Sequence, residues 1–120
     1  MLKVLVIDDS PFIFKAVKKA LENSVFDVVD NAGNGKIGLE MYEKYAPDLI
    51  TLDVTMPIMD GVETAKALVA KNPNVKIIML SAMGDEALLS QAKEIGVSGF
   101  LRKPFKPEEL LNKAKEILGV

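Results

Sequence analysis

The chain begins with MLKVLVIDDSPFIFKAVKKAL (residues 1–21), which combines a strand, an acidic pair and a capped helix. The apolar run Val4–Ile7 has the length and β-branched composition of a buried strand. After it, Ser10 is a candidate N-cap, and Pro11 suits the first position of a helix. The apolar residues that follow recur at helical spacing and are Ile13, Ala16, Val17, Ala20 and Leu21. These features predict a strand followed at once by an amphipathic helix.

The alternation of short apolar runs with longer helical segments continues along the whole chain. Further strands are predicted at Phe26–Val29, Leu49–Leu52, Lys76–Leu80 and Gly99–Leu101. Further helices are predicted at Gly35–Tyr45, Val62–Lys71 and Asp85–Ile95, and in a last segment that starts near Pro107 and turns Leu110, Ala114, Ile117 and Leu118 inward. Such alternation is typical of a parallel sheet with helices on both faces. The sequence therefore predicts an α/β fold, a doubly wound five-stranded parallel sheet with five helices, as a single domain over residues 1–120.

The composition excludes several classes of function. Fifteen basic and seventeen acidic residues give a net charge of −2, so no positive field favours nucleic acid or an anionic membrane. Cysteine and histidine are absent, which excludes disulfides, thiolate or imidazole metal sites and Ser-His catalysis. No apolar run is long enough to cross a membrane or to form the core of a signal peptide. We expect a soluble cytoplasmic monomer that neither inserts into a membrane nor binds nucleic acid.

Polar side chains follow four of the five apolar runs. Asp8 and Asp9 come after the first run, Asp53 ends the third, Ser81 follows the fourth and Lys103 follows the fifth. Open α/β sheets bind ligands beyond the carboxyl ends of their strands. If the first, third, fourth and fifth strands are neighbours, these side chains converge on one edge, and the second strand lies outside.

This set of side chains suits a metal ion and a phosphoryl group. Three close carboxylates repel one another and resist ionisation unless a cation compensates them. Because only oxygen ligands are present, Mg²⁺ fits best, Mn²⁺ would substitute, and Ca²⁺ lacks the ligands for its larger shell. The Lys103 ammonium and the Ser81 hydroxyl suit a phosphoryl group on Asp53, which is the candidate nucleophile.

Four motifs in this order resemble one protein family. They are Asp8-Asp9, the stretch LDVTMPIMDG from Leu52 to Gly61, Ser81-Ala82, and Lys103-Pro104-Phe105. On these motifs the chain resembles response-regulator receiver domains over essentially its whole length, particularly the stand-alone CheY-like members. The resemblance implies a flavodoxin/CheY-like fold with the strand order 2-1-3-4-5.

The resemblance also implies a role for each residue around the acidic cluster. Asp53 would accept a phosphoryl group from a partner histidine kinase, with Mg²⁺ as the cofactor. Asp9, Asp53 and the backbone carbonyl of Thr55 would ligate the metal, and Asp8 would act through a bound water. Lys103 would contact the phosphoryl group.

The resemblance implies a switch and a cis peptide bond as well. Ser81 would follow the phosphoryl group and Phe100 would act as an aromatic switch. The peptide bond between Lys103 and Pro104 would be cis. The domain would catalyse only its own phosphorylation and dephosphorylation, so it would not be an enzyme acting on other substrates.

The function implied is a phosphorylation-activated signalling switch of a two-component system. Phosphorylation would rebuild the surface formed by the fourth helix, fifth strand and fifth helix, which then binds a protein target. The pairing of Ser81-Ala82-Met83-Gly84 with Lys103-Pro104-Phe105 resembles chemotaxis members, which favours a chemotaxis-type kinase and the flagellar motor switch as target.

Several alternatives stay open. The chain could be a receiver from a non-chemotaxis phosphorelay or one trimmed from a longer regulator. It could be a Mg²⁺-dependent phosphohydrolase that uses Asp53 as a transient nucleophile, although Thr55 stands where a haloacid-dehalogenase-like enzyme has a second aspartate. A flavodoxin-like FMN carrier would need a different loop after the first strand. Phe14 is expected off the apolar stripe of the first helix, as a partner contact or an isolated exposed apolar residue.

Overall fold

Five strands and five helices alternate strictly in the computed structural model, which describes all residues from Met1 to Val120. In chain order they are β1 (Leu2–Ile7), α1 (Pro11–Leu21), β2 (Phe26–Ala32), α2 (Gly35–Tyr45), β3 (Leu49–Asp53), α3 (Gly61–Lys71), β4 (Ile77–Ser81), α4 (Glu86–Ile95), β5 (Gly99–Arg102) and α5 (Pro107–Leu118). The strands form one parallel sheet in the order β2-β1-β3-β4-β5. The predicted fold class and strand order are confirmed.

Two apolar clusters cover the two faces of the sheet. Successive side chains of a strand point to opposite faces, so Leu5 and Ile7 belong to one cluster while Val4 and Val6 belong to the other. Side chains of α2, α3 and α4 pack on the first face, and side chains of α1 and α5 pack on the second. Each large side chain buried in this way stabilises the fold by about 1.5–3 kcal/mol. Helices on both faces leave the carboxyl edge of the sheet open.

Local capping fixes where the helices begin at that edge. The Ser10 side chain accepts a hydrogen bond from the backbone N–H of Ile13, and Pro11 is the first residue of α1, as predicted. Asp60 and Glu63 form a reciprocal capping box at the start of α3. No helix of this fold has both the length and the apolar character needed to cross a membrane.

The prediction for Phe14 is wrong. Phe14 is partly buried and packs against the cluster on the α1 and α5 face, with the Lys18 ammonium 5.4 Å from its ring centroid. Phe14 precedes Val17 by three residues and Leu21 by seven, so it shares their face of the helix. The exposed aromatic residue of α1 is Phe12, whose surface is 80% accessible.

Candidate functional site

The three aspartates predicted to converge do so at the carboxyl edge of the sheet. Asp53 is the last residue of β3, and Asp8 directly follows β1, the strand paired with it. Carboxylate oxygens of Asp8, Asp9 and Asp53 lie within 4.8 Å of one another. Asp8 and Asp53 are buried and Asp9 is exposed, so the cluster has one side open to solvent.

Lys103 reaches this cluster from the end of β5, and β4 lies between β5 and the strand that carries Asp53. Its ammonium nitrogen lies 3.0 Å from Asp53 Oδ1 and 3.3 Å from Asp8 Oδ2. The backbone N–H of Lys103 donates to the carbonyl oxygen of Ser81 at 2.7 Å, which fastens the end of β5 to the end of β4. The peptide bond between Lys103 and Pro104 is cis, as predicted. One cation therefore faces two carboxylates from neighbouring strands.

Ser81 and Thr55 occupy the two segments that flank Asp53. Ser81 is the buried last residue of β4, which pairs with β3 so that Asp53 lies opposite Leu80. The backbone N–H of Thr55 donates to Asp53 Oδ1 at 3.4 Å, while the side chain of Thr55 is exposed. The structure thus brings Asp8, Asp9, Asp53, Thr55, Ser81 and Lys103 to one edge.

Burial and like charge control the protonation of this cluster. Desolvation raises the pKa of Asp53, and the neighbouring charge of Asp8 raises it further, against the opposing effect of Lys103. Desolvation likewise raises the pKa of Asp8. Burial alone lowers the pKa of Lys103, but its hydrogen bond to Asp53 and both carboxylate charges together raise it. In the metal-free protein, Lys103 alone therefore does not fully compensate the negative charges of Asp8 and Asp53.

The oxygen atoms of the cluster fit a hard divalent cation. Asp8 Oδ1 accepts a hydrogen bond from the backbone N–H of Ser10 at 2.8 Å, but Oδ2 is buried and accepts none. The one cation beside Oδ2 is the Lys103 ammonium, 3.3 Å away, which Asp53 shares, so a further cation would compensate the remaining negative charge. Mg²⁺ takes one or two carboxylates together with water and phosphate oxygens. Asp8, Asp9 and Asp53 supply a donor set of this kind.

Phe100 lies away from the acidic cluster, on the outer strand β5. It is partly buried and lines an open groove of about 340 Å³ together with Glu86, Leu89, Ser90 and Lys93. The groove runs between α4 and β5, so the side chain of Phe100 borders both the core and the surface.

Sequence reasoning missed two residues near the carboxyl edge. The side chain of Asn31 near the end of β2 donates to the backbone carbonyls of Val6 in β1 and of Asp8 just after it. Its only sequence signal is a polar residue inside a strand pattern. Ile58 in the loop between β3 and α3 is 78% exposed and has a φ of 71°, which is rare for a β-branched residue. The sequence signal of Ile58 is its position as a β-branched apolar residue in a loop that also contains Pro, Met and Asp.

The sequence of this chain matches one known protein family. Residues 4–115 match the family described as "Response regulator receiver domain". The chain belongs to this family. The receiver is 40% identical over 111 residues to the chemotaxis protein CheY of Listeria monocytogenes. The aligned residues cover 92% of this chain and 93% of the relative.

Two other similar proteins show the range of the family. The receiver is 43% identical to a protein-glutamate methylesterase/protein-glutamine glutaminase of Halalkalibacterium halodurans, across 98% of this chain and 35% of that protein. Among solved structures, it resembles a chain in the CheX-CheY-BeF3-Mg complex of Borrelia burgdorferi. The TM-score is 0.89 and the identity 30%, over 97% of this chain and 88% of that chain. The predicted resemblance to receiver domains is confirmed.

Proposed function

We propose that this receiver is a phosphorylation-activated signalling switch that accepts a phosphoryl group on Asp53 from a histidine kinase. The observation that carries the proposal is the position of the Lys103 ammonium, 3.0 Å from Asp53 Oδ1 and 3.3 Å from Asp8 Oδ2. Phosphoryl transfer depends mainly on positioning and on neutralising charge on the phosphoryl oxygens. A carboxylate nucleophile beside a fixed cation and a cation-binding cluster meets both needs.

In the transfer step, a carboxylate oxygen of Asp53 forms a bond to phosphorus. The P–N bond of the donor phosphohistidine breaks, and its electron pair stays on the imidazole nitrogen. Asp9, Asp53 and the Thr55 carbonyl, with Asp8 through a water, would hold Mg²⁺, which neutralises negative charge on the phosphoryl group. Lys103 would pair with a phosphoryl oxygen. Residues 1–120 contain no histidine, so the donor histidine lies outside this domain.

The exposed apolar residues around Asp53 support a protein as the donor. Phe12 follows β1, Ile58 follows β3 and Met83 follows β4, and each is at least 78% exposed. All three lie in segments that leave the carboxyl edge of the sheet. The two surface concavities lie elsewhere, one at the start of β2 and one between α4 and β5. A docking protein therefore suits Asp53 better than a small metabolite in a pocket.

The output of the switch would use Ser81 and Phe100. Ser81 would move toward the phosphoryl group, Phe100 would follow, and the α4-β5-α5 surface would bind a protein target with higher affinity. Such coupling typically amounts to about 1–3 kcal/mol. Relatives named chemotaxis protein CheY support a chemotaxis role. For that role we propose the flagellar motor switch as the target. We further propose that residues 1–120 act as one cytoplasmic, monomeric domain that turns over no separate substrate.

A second candidate is a receiver that controls an attached output domain. The 43% identity to a methylesterase of which this receiver matches only 35% supports it. Both candidate functions use the same chemistry at Asp53. They differ in whether a separate protein or an attached domain binds the α4-β5-α5 surface. A non-chemotaxis phosphorelay partner would likewise use the same acceptor site.

The proposal is tested by intact mass after incubation with acetyl phosphate and Mg²⁺. We expect one phosphoryl adduct that disappears with EDTA and in Asp53→Ala. Asp27→Ala is the matched control, because Asp27 is an exposed carboxylate on β2 near the opposite edge of the sheet. Absence of an adduct on folded wild-type protein that binds Mg²⁺ would refute the phosphoacceptor role.

A further inference from the structure

We infer that Asn31 is a positioning residue that holds Asp8 in place for metal binding, an inference that rests on the proposed function. The Asn31 amide nitrogen lies 3.2 Å from the carbonyl oxygen of Val6 and 3.2 Å from that of Asp8. It also lies 3.4 Å from the carbonyl oxygen of Ala32. The Asn31 side chain on β2 therefore holds the end of β1 at Asp8, which belongs to the acidic cluster.

The three carbonyl contacts fix which end of the amide faces β1. Carbonyl oxygens only accept hydrogen bonds, so the group that faces them must be the NH₂ and not the oxygen of Asn31. An aspartate at this position would turn a carboxylate toward the same carbonyl oxygens and repel them. The contact therefore requires a donor side chain of this length.

A register shift in β2 places Asn31 at this point. Val4 pairs with Val28, but Leu5 pairs with Asp30, so Val29 is left without a partner in β1. After the shift, Val6 lies opposite Asn31 and Ile7 opposite Ala32. Bulges of this kind re-aim side chains and are common next to functional sites. Without the register shift, Asn31 would lie opposite Ile7.

Asp8 has few other restraints. Its backbone N–H donates to the Ala32 carbonyl at 2.9 Å, and its Oδ1 accepts from the backbone N–H of Ser10 at 2.8 Å. Asp8 lies just beyond the last residue of β1, where the sheet ladder ends. The Asn31 amide supplies the bond to the Asp8 carbonyl and so extends the pairing by one residue. This directs the buried Asp8 Oδ2 into the cluster, where it accepts no hydrogen bond and faces Lys103 at 3.3 Å.

The inference predicts weaker metal binding when the amide is removed. Residues that orient a metal ligand typically change metal affinity about 10–100-fold when they are replaced. For Asn31→Ala, and for the similarly sized Asn31→Leu, we expect the Mg²⁺ dissociation constant from isothermal titration calorimetry to rise about tenfold. The backbone N–H of Asp8 should exchange faster in the metal-free variants. The Mg²⁺ concentration that half-saturates the acetyl phosphate reaction should rise in parallel.

Asn34→Ala is the control for a general loss of stability. Asn34 caps α2 by accepting a hydrogen bond from the backbone N–H of Ile37 at 2.9 Å, so its removal lowers the thermal midpoint. We expect this variant to bind Mg²⁺ with unchanged affinity.

The outcomes separate the inference from the proposed function. Unchanged Mg²⁺ affinity in both Asn31 variants overturns the positioning role, and so does an equal loss in Asn34→Ala. In either case a wild-type phosphoryl adduct leaves the proposed function standing. If the wild-type protein neither binds Mg²⁺ nor forms the adduct, the proposed function fails and the inference fails with it.

Discussion

The Lys103 ammonium lies 3.0 Å from Oδ1 of Asp53, although the two residues are 50 positions apart in the chain. Lys103 follows β5 and Asp53 ends β3, so the lysine side chain spans the end of β4. The same nitrogen is 3.3 Å from Asp8 Oδ2. One cation thus faces two buried carboxylates whose pKa values are both raised by desolvation.

Replacing Lys103 by methionine should slow phosphorylation strongly. The variant keeps much of the side-chain volume but removes the charge that would neutralise a phosphoryl oxygen. Loss of one such group costs about 100-fold in rate. The measurement is the rate of adduct formation with acetyl phosphate at saturating Mg²⁺, followed by intact mass. Lys66→Met, which removes an exposed lysine of α3, should react at the wild-type rate, and an equal rate in both variants would contradict the role of Lys103.

Asp8→Asn should stabilise the metal-free protein at neutral pH. Desolvation raises the pKa of Asp8 in the folded state. A raised pKa contributes stability below the unfolded value of 3.8, and this contribution is lost as the pH rises through the folded pKa. At pH 7 the neutral side chain should therefore raise the free energy of unfolding.

Urea unfolding in EDTA at pH 7 and pH 4 measures this effect. The gain should shrink at the lower pH, because a larger fraction of the wild-type Asp8 carboxyl is protonated there than at pH 7. Mg²⁺ should stabilise the wild-type protein by about 2.7 kcal/mol at 100 times its dissociation constant, and Asp8→Asn by much less. A variant less stable than the wild type in EDTA would show that the Asp8 carboxylate is favourable without metal.

Tyr45→Phe should destabilise the protein in a pH-dependent way. The Tyr45 hydroxyl donates to Asp30 Oδ2 at 2.7 Å, and this bond, with the backbone N–H of Asn31, lowers the pKa of Asp30. A lowered pKa contributes stability above the unfolded value of 3.8, which is lost as the pH falls through the folded pKa. We expect a loss of about 1 kcal/mol at pH 7 that fades below pH 3.8. Asp30→Asn should abolish the pH dependence, and a loss that is constant with pH would count against the bond to an ionised Asp30.

Gly61→Ala should disturb both the fold and the acceptor site. A Cβ at Gly61 would overlap the backbone carbonyl oxygen of Asp53 and the backbone of Val54, which cannot rotate away. Overpacking of this kind costs about 1–3 kcal/mol, and relief requires the start of α3 to move from the end of β3. Gly33→Ala is the matched control, because nothing lies within 4 Å of a Cβ there. We expect Gly61→Ala alone to unfold at lower urea and to phosphorylate more slowly, and equal behaviour of both variants would contradict the steric role.

Local patterns predicted most element boundaries because their causes are local. The bounds of α2 match the prediction, and α1 begins at Pro11 after the Ser10 cap as expected. β2 continues to Ala32, three residues beyond its predicted end. Its last part includes Asp30 and Asn31, so the apolar signal stops while the pairing with β1 continues. An edge strand can carry polar side chains without losing its backbone bonds.

The sequence by itself determined the secondary-structure elements and the chemical groups at the strand ends, because helical and strand periodicity, caps and motifs depend on neighbouring residues. The sequence also predicted that these groups share one edge of the sheet, but the tertiary structure decided their contacts and distances. Strand order brought Lys103 to Asp53 and Asp8, and the register shift in β2 brought Asn31 to the Asp8 carbonyl. Both depend on pairing between segments far apart in the chain. That pairing is selected by packing the helices on both faces of the sheet, and a local pattern does not encode it.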